Sequence, residues 1–199
     1  FGGKQVKHVI EPEVTYRFVN GVSDFAEIIR FDERDVLADT SEVEYDLTNR
    51  FFSKRKMSDG SMTTSEVLSI RIGQRYFFEP TFGGALVPGQ RNVFFPLDGL
   101  TAFAFENEVR NYSPVILRVR YTPAERYAVD FRMDYDPVVR MFRASSLSGS
   151  AYLSKGFISL SYYNTPNLPP NQFASNQVRA TVGYGNSLRQ GFNAAFGVD

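Results

Sequence analysis

Cysteine and tryptophan are absent from this 199-residue chain, and histidine occurs once, at His8. Without cysteine the segment has no disulfide framework, no thiolate metal site and no thiol nucleophile. A single histidine excludes a multi-histidine metal centre. Neither sign of charge is in excess: 22 Lys and Arg balance 22 Asp and Glu, so no basic face marks a nucleic-acid binder. No apolar run approaches the roughly 18 residues of a membrane helix, and no secretory leader opens the chain. Aromatic residues are what is abundant, with 19 Phe and 11 Tyr. The chain opens at FGGKQVKHV without an initiator methionine and stops at FNAAFGVD inside an alternating pattern, which reads as an excerpt of a longer protein.

Alternation with period two dominates, and helical periodicity is hardly visible. Residues 113–136, SPVILRVRYTPAERYAVDFRMDYD, show it best. Val115, Leu117, Val119 and Tyr121 alternate with Ile116, Arg118 and Arg120. Tyr127, Val129, Phe131, Met133 and Tyr135 alternate with Ala128, Asp130, Arg132 and Asp134. A three-residue turn centred on Ala124 pairs 121 with 127 and 119 with 129, which puts the apolar sets on one face and Arg118 opposite Asp130 on the other. The same rhythm marks Val43 to Phe51, Leu68 to Ile72, Ile158 to Tyr162, Val178 to Tyr184 and Phe192 to Val198.

The pattern predicts about nine strands, at 5–19, 42–56, 64–79, 112–122, 126–136, 140–153, 157–164, 176–185 and 191–199. Connections at 57–63, 123–125, 154–156 and 186–190 are short, and those at 20–41, 80–111 and 165–175 are long; only 137–139 breaks the alternation. Short turns on one rim and long loops on the other are the habit of outer-membrane barrels. LTAFAFE, 100–106, reads as a strand alone but would spoil the up-down parity, so it belongs to a long loop. The predicted class is therefore all-β, an antiparallel up-and-down meander forming part of a large transmembrane barrel, with residues 1–199 in one domain.

A soluble β-sandwich alternates in the same way, but three features oppose it. Strands of this length suit the ~9–11 residues that a tilted strand needs to cross a bilayer rather than the usual ~5–6. Tyr127 and Tyr135 flank an apolar stripe, and eight residues at ~3.3 Å span roughly 26 Å, near the ~25 Å apolar band of such barrels. The opposite face carries Arg and Asp rather than a second dry layer.

Chemistry-bearing candidates are few. Seven carboxylates lie between Asp32 and Asp46. DERDVLADTSEVE lacks the glycine and spacing of an EF-hand loop, and nothing marks an acid held in an apolar pocket as a glycosidase requires. Asp32, Glu33, Asp35 and Asp39 fit a long loop, with Glu44 and Asp46 on the polar face of the next strand, and the acids are expected to be solvated. His8 has no Ser or Cys motif beside it and fits a hydrogen-bonded strand-end residue. Gly83-Gly84 and GYGNS at 183–187 lack the Lys-Ser/Thr ending of a phosphate loop. Arg118, Arg120, Arg132, Arg140 and Arg143 fit either an anion-binding patch or ordinary polar-face charge balanced by Asp130, Asp134 and Asp136. Pro12 is expected to interrupt its strand's ladder. No catalytic, cofactor or metal constellation emerges.

HVIEPEVTYRFV, FDERDVLADTSEVEYDLTNRFF and LSIRIGQRYFFEPTFGG together resemble the barrel of the LPS-assembly protein LptD family. His8, Glu11, Pro12, Phe31, Asp32, Asp35, Asn49, Arg50, Gln74, Tyr76 and Phe77 carry the match, which covers most of residues 7–84; these positions read as structural. The resemblance implies a transporter rather than an enzyme: a large barrel in the cell outer membrane that inserts lipopolysaccharide into the outer leaflet. It also implies a lumenal plug lipoprotein of the LptE type, a periplasmic bridge delivering the lipid, and contact with the lipid bilayer. The family's periplasmic jellyroll, lateral-opening strands and paired cysteines are not in this segment. The competing readings are a porin-like or receptor-like barrel for small solutes and a soluble binding sandwich.

Overall fold

Long alternating runs separated by short turns let each strand satisfy its backbone N–H and C=O groups on its neighbour in sequence. The computed structural model describes residues 6–21, 39–56, 60–79, 111–166, 174–186 and 190–198. Among these residues it forms nine strands: β1 (Val6–Val19), β2 (Thr40–Lys56), β3 (Met62–Phe77), β4 (Val115–Ala124), β5 (Tyr127–Asp136), β6 (Met141–Leu153), β7 (Gly156–Thr165), β8 (Ser175–Asn186) and β9 (Gln190–Val198). They build a single sheet in the order β1 to β9, each strand antiparallel to the next. The sheet is open within this segment. The stretch 100–106, Gly83-Gly84 and the acidic residues Asp32, Glu33 and Asp35 lie outside the described residues.

The expected strands are all present, with shifted ends. β4 starts at Val115 rather than 112 because Pro114 offers no N–H to the ladder. Residues 111–113 still lie along β3: Ser113 N donates to Arg75 O at 2.9 Å, Phe77 N donates to Asn111 O at 2.7 Å, and Tyr76 and Tyr112 form an isolated bridge. Pro12 does not interrupt its strand. Register runs unbroken through Pro12↔Leu47, so its missing N–H falls on the side away from β2.

The β4–β5 turn corrects the expected register. Ala124 pairs with Tyr127 across Glu125-Arg126, and a bulge between Tyr121 and Ala124 then brings Tyr121 opposite Val129 and Val119 opposite Phe131. Pro123 lies in that bulge, a place where a residue without an N–H is tolerated. Arg118 is thus opposite Arg132, and Asp130 is opposite Arg120, whose Nε lies 2.9 Å from Asp130 Oδ1. The offset is even, so Arg118 and Asp130 still share a face.

Burial is inverted relative to a water-soluble sheet. The apolar face is the exposed one: Val14 is 72% exposed, Phe196 68% and Leu160 57%. On the other face Arg75, Asp134 and Asp136 are 2%, 1% and 0% exposed, and among the described residues the only buried hydrophobic side chains are Phe77 and Ala144. Charged side chains converge where the apolar ones diverge, as on the inside of a curved sheet. Among the described residues no second layer covers the apolar face, as a sandwich would require.

Aromatic side chains collect at the ends of the apolar face. At the long-loop end Tyr76 meets Phe78 and Tyr112 with ring centroids 5.2 and 5.0 Å apart, and Tyr135 meets Phe142 at 5.4 Å. Tyr121, Tyr127 and Tyr184 sit at the short-turn end. The inner face also changes character along the sheet. Long Arg, Glu and Asp side chains fill it on β2, β3 and β5, whereas Ser146, Ser148 and Ser150 on β6 lie beside Tyr163, Ser161 and Ser159 on β7.

Placing arginine at the centre of the apolar face should therefore be costly. We expect Leu160→Arg in the full-length protein to destabilise the lipid-inserted state by about 2–4 kcal/mol, while Ser148→Arg on the inner face changes it by much less. Urea unfolding from lipid vesicles, followed by tyrosine fluorescence, checks this.

Candidate functional site: the ion-paired inner face

Glu42, Glu44 and Asp46 occupy alternate positions of β2 and so project to one face. The neighbouring strands supply three guanidinium groups. Arg17 of β1 contacts Glu42 at 2.9 Å. Arg75 of β3 reaches Glu42 at 3.3 Å and Glu44 at 2.8 Å, and Arg71 reaches Glu44 at 3.6 Å and Asp46 at 2.9 Å. Thr40 Oγ1 adds a 2.9 Å hydrogen bond to Glu42 Oε2. The result is a ladder of alternating charge, three carboxylates against three guanidiniums. Gly73 stands between Arg71 and Arg75, and a Cβ there would come within 3.0 Å of the Asp46 Cβ, so glycine leaves room for both arginines to close on the acids.

This corrects the expectation that the acids of this stretch are solvated. Glu42 is 3% exposed and the Asp46 side chain 5%. Asp39 precedes β2. The missing signal was relational: Arg71 and Arg75 share the acids' face only once β2 and β3 are placed in register, with Glu44 opposite Arg75 and Asp46 opposite Gly73. Burial also gives the ladder its weight, since ion pairs at an exposed surface are each worth only about 0–1 kcal/mol.

A second ion pair holds the β5–β6 turn. Asp136 Oδ2 accepts from Arg143 Nε at 2.7 Å, and its Oδ1 accepts from the backbone N–H of Val138 at 2.9 Å. Arg140 in that turn has φ 57°, the left-handed region that non-glycine residues seldom adopt. The five candidate arginines therefore do not form one patch. Arg118, Arg120 and Arg132 share the inner face with Asp130 and Asp134, Arg143 is engaged by Asp136, and Arg140 stands exposed in the turn.

The motif residues divide between the two faces. On the inner face Arg50 bridges Glu11 at 2.9 Å and Glu66 at 3.5 Å, and Phe77 is buried. On the apolar face the polar members pair with one another. His8 Nε2 donates to Asn49 Oδ1 at 3.1 Å while its ring stacks on Phe51 at 4.2 Å. Tyr45 donates to Gln74 Oε1 at 2.6 Å, and Gln74 Nε2 donates to Ser113 O at 3.0 Å. The Ser113 hydroxyl accepts from Arg75 N at 2.9 Å. Side chains thus supply hydrogen bonds beside Pro114, where the ladder is short of a donor. Pro12 faces Leu47, Tyr76 joins the aromatic cluster at the long-loop end, and Phe31, Asp32 and Asp35 lie outside the described residues.

An open antiparallel wall that is charged within and apolar without is the architecture of a barrel segment, and one sequence comparison names its kind. The family described as LptD, LPS transport system D, matches residues 1–190. The chain belongs to the LptD family. Comparison with curated proteins finds no match. LptD proteins are outer-membrane β-barrels that transport and assemble lipopolysaccharide, which is the function of this chain and gives it lipopolysaccharide as its partner. Nothing favours the solute-porin alternative.

Removing one member of the charge ladder strands the others. Arg75→Met leaves Glu42 and Glu44 without their shared cation, and we expect a loss of about 3–5 kcal/mol in the unfolding free energy of the full-length LptD protein in lipid. Adding Glu42→Gln and Glu44→Gln to that variant should restore a large part of the loss. The two unfolding midpoints in urea decide it, and an unchanged midpoint for Arg75→Met contradicts the role given to the ladder.

Proposed function

We propose that residues 1–199 are an interior section of the barrel domain of a longer LptD protein in the cell outer membrane. The apolar face then meets lipid and the charged face lines the lumen, with the short turns periplasmic and the long connections outside the cell. The inverted burial carries this reading: Val14, Leu160 and Phe196 are exposed, while Arg75, Asp134 and Asp136 are buried on the other face. A carboxylate or guanidinium facing hydrocarbon is expensive, and an uncovered apolar sheet in water is equally unfavourable, so only a membrane satisfies both faces at once. The aromatic residues at both ends of the apolar face fit the two interfaces of such a bilayer.

In this reading the inner face receives a plug lipoprotein of the LptE type, and a periplasmic bridge delivers lipopolysaccharide to the assembly. The satisfied ion pairs suit a wall against which another protein packs, because they present polar groups already matched among themselves. The family positions His8, Glu11, Pro12, Asn49, Arg50, Gln74, Tyr76 and Phe77 serve the wall as cross-strand locks.

Two measurements test it. Depletion of the full-length protein should lower lipopolysaccharide at the cell surface, and an undiminished surface level rules out the assembly role. A photo-reactive amino acid at Ser148, on the inner face, should cross-link to a lipoprotein. At Leu160, on the apolar face, it should cross-link to lipid alone, and the reverse pattern refutes the assignment of faces.

A further inference from the structure

Charge on the inner face is matched unevenly along the sheet. The ladder on β1 to β3 sets three carboxylates against three guanidiniums. The strand residues of β4 to β7 carry four arginines and three aspartates, a surplus of one positive charge. Arg120 is held by Asp130 at 2.9 Å and Arg143 by Asp136 at 2.6 Å, and Arg118 and Asp134 each have partners of their own. Arg132 is the one left over, with no hydrogen bond or ion pair among the described residues.

The cross-strand neighbours of Arg132 make its position worse. Arg118 stands opposite it on β4, and Arg71 stands opposite Arg118 on β3, so three guanidiniums lie in register on adjacent strands. Like charges placed opposite one another destabilise a sheet. Arg132 is also half-buried, and a guanidinium partly withdrawn from water without a counter-charge is unfavourable. An anion seated on Arg132 from the open side relieves both costs.

The surface beside Arg132 has room for the carrier of such an anion. Arg132, Ser146 and Tyr163 form a row across β5, β6 and β7, spanning two strand spacings or roughly 10 Å. Ser148, Ser150, Ser159 and Ser161 continue the same face with short side chains. Neither these hydroxyls nor that of Tyr163 has a hydrogen-bond partner among the described residues. Arginine and tyrosine are the residues that most often anchor a protein interface.

We propose that the inner face of β5 to β7 is the seat of the lumenal plug, and that the plug meets it with a carboxylate placed on Arg132. One surplus charge calls for one carboxylate, whereas a lipid carrying several phosphates would call for a cluster of cations. A carboxylate accepts two parallel N–H bonds from a guanidinium, which fixes the orientation of the docked protein as well as its place. The inference rests on the inner face being lumenal, as argued under the proposed function.

The experiment holds the full-length protein with its plug on a resin in detergent and follows release of the plug at low and high salt. In Arg132→Gln the plug should leave on the order of tenfold faster at low salt. Salt should speed its release from the wild type more than from this variant, because the screened pair is already gone. Arg132→Lys, which keeps the charge, should release it more slowly than Arg132→Gln. The urea midpoint of the barrel should stay at its wild-type value in both variants, since the wall itself loses no pair. An unchanged release rate in Arg132→Gln overturns the seat and leaves the plug in the lumen; so does a lowered midpoint, which would make Arg132 part of the wall's own packing. A wild-type complex that holds no plug overturns the proposed function as well.

Discussion

Backbone hydrogen bonding is the constraint on which everything else here depends. In hydrocarbon no water exists to satisfy an N–H or C=O group, so every strand must find its partners on its neighbours. The meander meets this with eight antiparallel ladders in sequence order. Its three strand-associated prolines show how strictly the rule applies. Pro12 presents its missing donor away from β2, Pro123 falls in a bulge, and Pro114 lies where Gln74 and Ser113 lend side-chain hydrogen bonds. Polar side chains on the apolar face obey the same rule, since His8 and Gln74 are matched by Asn49 and Tyr45.

Charge follows from the same constraint. With one face of the sheet given over to apolar side chains, carboxylates and guanidiniums crowd onto the other, and crowding forces them to neutralise one another. The ladder from Arg17 to Asp46 is the outcome, as is the Asp136–Arg143 pair. In the β1–β3 ladder and at the β5–β6 turn, balance is therefore achieved locally, by neighbours across a ladder.

The fold was legible in the sequence because parity survives small errors. Placing the β4–β5 turn one bulge away from its true position moved pairings by two residues and left every side chain on its proper face. The strand ends were less legible, since they depend on where Pro114 and Pro123 withdraw donors and on how neighbouring strands answer. The charge ladder was hidden for a different reason. Glu42, Glu44 and Asp46 form a readable row by themselves, but their burial is set by arginines about 30 residues downstream, and that relation exists only in the register of β2 with β3. Likewise His8 and Asn49 look unrelated in the chain, 41 positions apart, until antiparallel pairing of β1 with β2 joins them.

The serine-lined strands give the wall an uneven relief. Along β2, β3 and β5 the charged side chains form a thick polar layer over the backbone. Along β6 and β7 the short hydroxyl side chains of Ser146, Ser148, Ser150, Ser159 and Ser161 form a shallow patch between Phe157 and Tyr163. A body packed against this face would meet a rough, interlocking surface along β2, β3 and β5 and a smoother, sliding one along β6 and β7.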